Sequence, residues 1–212
     1  MTIHDVSLPI TASLVVWQDD PPVSLTYIAH QDDGEVATLS RVEMGLHTGT
    51  HVDAPKHFIR GGAGIDSLDL NMLVGRAVVV ELMDVEIITA DVLESLDIPE
   101  GTERLLVHTR NSELWEQGHR EFFTDYVAFD RSGARWLVDH GVRLIGVDYL
   151  SVASFQDLVV THEVLLDAAV IVVEGLNLTG ISPGAYQFVC LPLLFSDRDG
   201  SPARAILIDS VD

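Results

Sequence analysis

The stretch HTGTHVDAPKH, residues 47–57, says more about this chain than any other segment. It holds three of the nine histidines together with one aspartate. His47 and His51 have the i, i+4 spacing of one helix face. However, Gly49 lies between them and Pro55 follows, and neither residue suits a helix interior. We therefore predict the end of a strand, a bend at Gly49 and a second extended piece.

This backbone path would gather several polar side chains at one point. Residues two apart in a strand point to the same side, so His51 and Asp53 should project together. A bend would return His47 towards them, and His57 would approach from the side. Two imidazoles and a carboxylate are ligands that Zn²⁺ and Mn²⁺ accept. A metal would lower the pKa of bound water from about 16 towards 7 and so supply hydroxide, and a histidine beside the metal could move protons. In the alternative interpretation the imidazoles only satisfy carbonyls of a turn, and composition alone leaves both readings open.

The composition is that of one globular domain, residues 1–212, with enough apolar material for a sizeable core. There are 33 acidic against 12 basic residues, a net charge of −21. This charge disfavours nucleic acid and anionic membranes as partners. It attracts cations, although it is equally typical of an ordinary acidic surface. The single cysteine, Cys190, excludes an intrachain disulfide and is expected to be a buried small hydrophobe. No signal peptide and no run of 18 apolar residues is seen, so we expect a cytoplasmic protein.

The order of predicted elements indicates an α/β fold with a mixed sheet. The first sixty residues are β-rich, and the run at 75–83 is typical of a strand buried on both faces. We expect helices to start near Thr89 and Thr161 as N-caps and near Ser132. Strands are predicted at 23–30, 36–47, 75–83, 104–110, 143–151, 170–178, 186–195 and 203–210, and helices at 89–97, 132–141 and 161–169.

HTGTHVDAPKHF, residues 47–58, is similar to the H-x-G-T-H-x-D-x-P-x-H signature of the cyclase family of metal-dependent hydrolases. That family includes bacterial kynurenine formamidases and isatin hydrolases. Further blocks resemble the family in the same order along nearly the full chain: DVSLPI (5–10), VVWQDDPPVSL (15–25), LIGVDYLSV (144–152), THEVLLDAAVIVVEGLNL (161–178) and LPLLFSDRDGSPARAIL (191–207). The resemblance implies a single-domain mixed β-sheet of the swivelling β/β/α architecture.

The resemblance also implies roles for individual residues. His57 would be the general acid/base, and Trp17 would pack against an aromatic substrate. One or two divalent ions, zinc or manganese, would be bound by His47, His51, Asp53, His162 and Glu174.

Some of these residues have simpler explanations. His162 could be polar filler in the first turn of a helix, and Trp17 could be an ordinary packed aromatic. Glu174 follows an apolar strand, where a carboxylate is costly unless it is paired or metal-bound. The chain departs from the family at WQDD (17–20), where W-P-G-D is typical. It also departs at LLFSDRDG (193–200), where a basic residue and glycines are common.

The function expected from the resemblance is hydrolysis of an aryl formamide such as N-formylkynurenine by metal-activated hydroxide, in tryptophan catabolism or another aromatic pathway. The first alternative is an isatin-like cyclic amide or lactone hydrolase, or a cyclase acting in the reverse sense. The second, of another class, is a non-catalytic metal-binding module. The resemblance further suggests a homodimer or homotetramer.

Overall fold

The computed structural model describes residues 1–209. Twelve strands are present in this part: β1 (Ile3–Asp5), β2 (Ser24–Ala29), β3 (Leu39–Glu43), β4 (His51–Asp53), β5 (Val74–Leu82), β6 (Ile87–Ile88), β7 (Arg104–Thr109), β8 (Ala128–Phe129), β9 (Leu144–Val147), β10 (Ile171–Glu174), β11 (Gly184–Pro192) and β12 (Gly200–Asp209). Five α-helices accompany them: α1 (Leu70–Leu73), α2 (Ala90–Glu94), α3 (Asn111–Glu116), α4 (Arg131–Asp139) and α5 (Leu158–Asp167).

The main sheet is mixed and closes into a barrel. Its strand order is β1-β12-β11-β5-β7-β9-β10-β4, and β4 also pairs with β12. Strands β5, β7, β9 and β10 are mutually parallel, whereas β4, β11 and β12 pair antiparallel with their neighbours. The short strand β4 is therefore the piece that closes the ring, between β10 and β12. This confirms the expected mixed α/β fold.

Two apolar layers lie on the two sides of the barrel wall. Side chains such as Leu106, Val173 and Phe188 fill the interior. Leu105, Val107 and Val172, which alternate with the interior set, face outwards and are covered by residues of α2, α4 and α5. This alternation along each strand gives β10 apolar neighbours on both faces and buries it completely.

The helix starts were predicted with mixed success. Thr89 is the N-cap of α2, and its side chain accepts a hydrogen bond from the Val92 N–H. Helix α4 begins one residue earlier than expected, because the Asp130 carboxylate caps it. The prediction that Thr161 is an N-cap was wrong. Helix α5 begins at Leu158, and Thr161 is a buried residue within it.

Several strand predictions also need correction: the strands predicted at 36–47, 143–151 and 170–178 are shorter and end at Glu43, Val147 and Glu174. The run at 75–83 was expected to be buried on both faces, but β5 buries Ala77, Val79 and Leu82 while the intervening residues stay partly exposed. The helical layer covers its outer face only in part. The predicted strand 186–195 ends at Pro192. Strand 203–210 is confirmed up to Asp209, and its last residue, Ser210, lies outside the described residues.

A separate hairpin is formed by β2 and β3, which pair only with each other within residues 1–209. Cys190 lies in the interior of the barrel, as expected, and its burial raises the pKa of the thiol to about 12. Across residues 1–209 none of the helices has the length and apolar character needed to cross a bilayer.

Candidate active site

The site lies on the outer face of the barrel, where β4 pairs with β10. Val52 points into the barrel interior, so its neighbours His51 and Asp53 point to the opposite face. The register places His51 directly across from Glu174. Strand β4 thus directs His51 and Asp53 to the same face, as predicted. Glu174, the last residue of β10, lies beside them.

The predicted bend brings the first histidine back to the same point. Gly49 adopts φ +67°, in the left-handed region that favours glycine. The His47 ring then lies beside the Asp53 carboxylate, with Nδ1 2.8 Å from Oδ1. The ring centroids of His47 and His51 are 5.1 Å apart. The bend and the second extended piece are therefore present, but the expected strand before them ends at Glu43, and His47 lies in the turn that precedes β4.

Helix α5 supplies His162 to the site. The His162 Nδ1–H donates to the Leu158 carbonyl at 2.7 Å, one turn earlier in the helix. This bond turns Nε2 towards Glu174 Oε1, at 3.3 Å, and Asp53 Oδ2, at 3.7 Å. The simpler reading of His162 as first-turn filler is wrong, because the side chain is buried in the second turn and faces two carboxylates.

His51 is oriented in the same way by a different carbonyl. Its Nδ1–H donates to the Gly49 carbonyl at 2.8 Å. Nε2 then faces Glu174 Oε2 at 3.1 Å and Asp53 Oδ1 at 3.5 Å. Neither this nitrogen nor Asp53 Oδ2 finds a hydrogen-bond partner among residues 1–209, although both are buried.

These contacts fit a divalent metal ion. When Nδ1–H is bound to a carbonyl, the neutral imidazole presents a lone pair at Nε2. In His51 and His162 that lone pair faces carboxylate oxygens, so a cation between them relieves the repulsion. Histidines that bind metal usually donate their other N–H to a carbonyl or carboxylate in this way. Three groups of residues have ligand atoms close enough to hold an ion: His47, His51 and Asp53; Asp53, His162 and Glu174; and the more exposed group His47, His57 and Asp199.

The electrostatics of the cluster follow from its burial. Burial by itself would lower the pKa of His47, but the Asp53 and Asp199 carboxylates outweigh it and raise the pKa to about 9. Burial would raise the pKa of Asp53, but the surrounding imidazoles, first of all His47, hold it well below its usual range. The pKa of His57 is lowered, mainly by burial.

His57 follows β4 in a single 3₁₀ turn, Pro55–His57. Its ring stacks on that of His47, with centroids 3.9 Å apart and planes inclined by 22°. Its side chain is 30% exposed, whereas His51 and His162 are almost completely buried. His57 is therefore beside the carboxylate cluster but open to a neighbouring cavity.

That cavity has a volume of about 280 Å³, near the lower end for small-molecule sites. His47, His57, His162 and Glu174 lie on its wall, and Trp17 lines it from the side of the N-terminal segment. Trp17 packs edge-on against Phe122, at 4.8 Å, and is inclined by 34° to Phe155 at 5.9 Å. The structure thus brings all seven candidate residues to one place. They are His47, His51, Asp53, His57, His162, Glu174 and Trp17.

Sequence reasoning assigned no role to Asp199. Its Oδ2 lies 2.8 Å from His47 Nε2 and 4.0 Å from His57 Nδ1, and it lines the cavity. The available signal was its place directly before Gly200 in the block LPLLFSDRDGSPARAIL, which resembles the family. Phe58 and Leu158 were missed as well, since both look like ordinary core residues. The Phe58 ring stacks on His162 at 4.1 Å.

The chain is similar over most of its length to several known proteins. Residues 4–154 match the Cyclase family model, described as "Putative cyclase". Cyclase-like protein 2 of Arabidopsis thaliana is 41% identical, over 98% of this chain and 79% of that protein. Kynurenine formamidase of Bacillus cereus is 33% identical, over 96% of this chain and 95% of that protein.

A solved structure described as a potential metal-dependent hydrolase with cyclase activity superimposes with a TM-score of 0.85. It is 33% identical, and the match covers 100% of this chain and 99% of that one. The family model covers well over half of the chain, and the relatives and the solved structure match nearly all of it. The chain therefore belongs to the cyclase family of metal-dependent hydrolases.

Proposed function

We propose that this protein hydrolyses an aryl formamide, with N-formylkynurenine as the substrate, at a divalent metal centre. The observation that carries the proposal is the pair of buried carboxylates, Asp53 and Glu174, faced by histidine nitrogens on the wall of a cavity. His57 and Trp17 line the same cavity. The 33% identity with a protein named kynurenine formamidase supports the choice of substrate.

The metal would be held by the two groups described above that share Asp53. Sharing of one carboxylate supports a centre of two ions, with His47 on one side and His162 and Glu174 on the other. Imidazole and carboxylate ligands suit zinc and manganese alike. Such a centre supplies a lowered pKa for water and polarisation of a carbonyl oxygen.

The remaining chemistry is assigned to His57. Hydrolysis forms a bond between a water oxygen and the formyl carbon, breaks the carbon–nitrogen bond, and releases an aryl amine and formate. A ring nitrogen of His57 takes a proton from the attacking water and delivers it to the leaving nitrogen. Its place beside the ligands, with the side chain partly exposed to the cavity, suits a group that must reach both water and substrate.

The aromatic part of the substrate would pack against Trp17. Phe122 and Phe155 support this indole from two sides, so the substrate ring meets a surface that is already in position. Leu150 and Leu158 complete the apolar part of the wall. A cavity of about 280 Å³ is suited to a substrate with one ring system.

The test is hydrolysis of N-formylkynurenine by the metal-stripped protein before and after addition of Zn²⁺ or Mn²⁺, with isatin in parallel. Metal-dependent turnover of the formamide is the expected result. Turnover of isatin alone would keep the site and replace the substrate by a cyclic amide. Bound metal without turnover of either compound would favour a non-catalytic metal-binding module.

His57→Ala separates the acid/base role from a ligand role. We expect activity to fall by about 10²–10⁴-fold while the number of bound metal ions stays the same. Loss of metal together with activity would show that His57 is a ligand and would contradict its assignment.

We also propose that the protein assembles as a homodimer through the β2–β3 hairpin. A two-stranded hairpin is marginally stable alone, and this one exposes apolar side chains on both strands, namely Leu25, Tyr27, Ile28, Leu39 and Val42. A second copy of the chain would cover them. Light scattering after size exclusion should give twice the chain mass, and Tyr27→Glu should reduce it to a monomer; a monomeric wild type would refute this assembly.

A further inference from the structure

The three candidate histidine ligands are not held in the same way. His51 and His162 each donate Nδ1–H to a backbone carbonyl and turn Nε2 towards the carboxylate cluster. His47 lies between two carboxylates. Its Nδ1 is 2.8 Å from Asp53 Oδ1, and its Nε2 is 2.8 Å from Asp199 Oδ2.

The two carboxylates beside His47 have different surroundings. Asp53 is completely buried and belongs to both of the ligand groups proposed above to hold the metal. The Asp199 side chain is 42% exposed and lies at the rim of the cavity. The Asp53 side of the imidazole therefore faces the metal centre, and the Asp199 side faces away from it.

We infer that Asp199 is the positioning residue of the metal centre: its carboxylate accepts the Nε2–H of His47 and so leaves Nδ1 as the metal-binding atom. The inference rests on the proposed function, because it requires the metal centre described there. Asp199 would do for His47 what the two backbone carbonyls do for His51 and His162. Such partners fix the tautomer and the ring orientation of a metal-binding histidine.

The backbone holds Asp199 in place although its side chain is partly exposed. The Ala54 N–H donates to the Asp199 carbonyl at 2.9 Å, and the next residue, Gly200, pairs with Asp53 across the β4–β12 ladder. A Cβ atom at Gly200 would lie only 2.5 Å from His47 Cε1. The sequence Asp199-Gly200 therefore provides both the partner for the imidazole and the space in which the ring lies.

The same carboxylate is near the proposed acid/base. Asp199 Oδ2 is 4.0 Å from His57 Nδ1, and the rings of His47 and His57 are stacked. The ligand atoms of these three residues are also close enough to hold an ion among themselves. A direct ligand role for Asp199 is thus the competing explanation, and the two explanations predict different numbers of bound ions.

The experiment is titration of Zn²⁺ into the metal-stripped full chain in competition with a chromogenic chelator. It gives the dissociation constant and the number of ions per chain. Asp199→Ala should weaken zinc binding by about 10–100-fold with an unchanged number of ions at saturation. Asp199→Asn should lose less, because its amide oxygen still accepts the Nε2–H. The matched control is Asp197→Asn, which removes the same charge from the same turn but contacts Lys56 instead of the site histidines.

A second variant tests whether zinc binding depends on the orientation of the His47 ring and not only on the negative charge of Asp199. Gly200→Ala keeps every carboxylate but pushes the His47 ring, and it should also weaken zinc binding, with the fold checked by circular dichroism. Wild-type affinity in Asp199→Ala would overturn the inference. Loss of one ion per chain with unchanged affinity for the rest would overturn it too, in favour of a ligand role. A wild-type protein that binds no zinc would overturn the proposed function and this inference together.

Discussion

Asp148 is a fully buried carboxylate outside the candidate metal site, and it should make the stability of the fold depend on pH. It directly follows β9 and accepts hydrogen bonds at 2.7–2.8 Å from the Thr109 N–H, the Thr109 hydroxyl and the Ser112 hydroxyl. The Asn111 amide donates a fourth, at 3.3 Å. Burial raises the pKa of Asp148, and these hydrogen bonds offset only part of the effect, so the pKa reaches about 6 instead of 3.8.

The sign of the pH dependence follows from this direction. The folded protein favours the protonated form of Asp148. In the unfolded chain the same carboxyl loses its proton at a lower pH. The stabilisation is therefore fully present below the unfolded pKa near 4 and is lost as the pH rises through about 6. The pKa of Asp148 differs by about 2 between the folded and the unfolded state. A difference of one pKa unit corresponds to about 1.4 kcal/mol, so Asp148 contributes about 3 kcal/mol to the free energy of unfolding at low pH.

Asp148→Asn removes the titration while keeping the shape of the side chain. Its oxygen can take the Oδ2 position and accept from the Thr109 N–H and Ser112, and the Thr109 hydroxyl can turn to accept from the new amide. The contact with Asn111 is lost, a pH-independent cost of about 1 kcal/mol. The free energy of unfolding of the wild type, relative to this variant, should fall by about 2 kcal/mol between pH 4 and pH 7, because the first part of the effect is already lost at pH 4.

The assay is urea unfolding of both proteins followed by circular dichroism at half-unit pH steps, with chelator present throughout. All other titrating groups are shared by the two proteins, so their contributions cancel in the difference. A difference that stays constant over this range, or that grows in favour of the wild type as the pH rises, would refute the reasoning.

Four further predictions test the site and the core. Gly175→Ala places a Cβ 2.3 Å from the Gly49 carbonyl oxygen. It should weaken zinc binding and lower the free energy of unfolding in urea. The control is Gly141→Ala, at a similar positive φ but with open space around it, which should lower that free energy by less. Equal losses of stability in the two variants would exclude the contact with Gly49 as the cause. Phe188→Ala leaves a cavity in the barrel interior and should lower the free energy of unfolding by about 3–5 kcal/mol. Thermal unfolding would report this loss as a lower Tm. Trp17→Ala should raise KM for N-formylkynurenine, whereas Trp136→Ala on α4 should leave KM unchanged; equal KM values for both variants would remove Trp17 from the substrate site. Removal of metal by chelation should lower Tm, because an ion present at 1,000 times its Kd contributes about 4 kcal/mol; an unchanged Tm would contradict binding to the folded state.

The local part of the site could be predicted because it depends on neighbours in sequence. The alternation of His51 and Asp53 follows from any extended backbone, and the bend at Gly49 follows from the conformational freedom of glycine. Glu174 was named by the resemblance to a known family, and its place at the end of an apolar strand supported that choice independently. The resemblance to a known family added His162, which spacing alone would not have singled out, and assigned the acid/base role to His57.

Other features could not be predicted, for identifiable reasons. Asp199 contacts His47 across 152 positions of sequence, and only the pairing of β4 with β12 brings them together. Thr161 resembled an N-cap, but the apolar residues from Leu158 onwards form the first turn of α5 without a capping side chain. That earlier start matters for the site, because it supplies the Leu158 carbonyl that orients His162.

The sequence by itself determined the local part of the candidate metal site, the bend at Gly49 and the α/β class, because each depends on composition or on residues a few positions apart. Only the tertiary structure decided which imidazole nitrogen faces which carboxylate. That choice depends on β4 lying between β10 and β12, and on α5 crossing the outer face of β10. It is made by the carbonyls of Gly49 and Leu158 and by the Asp199 carboxylate, whose positions beside the three imidazoles are set by the fold.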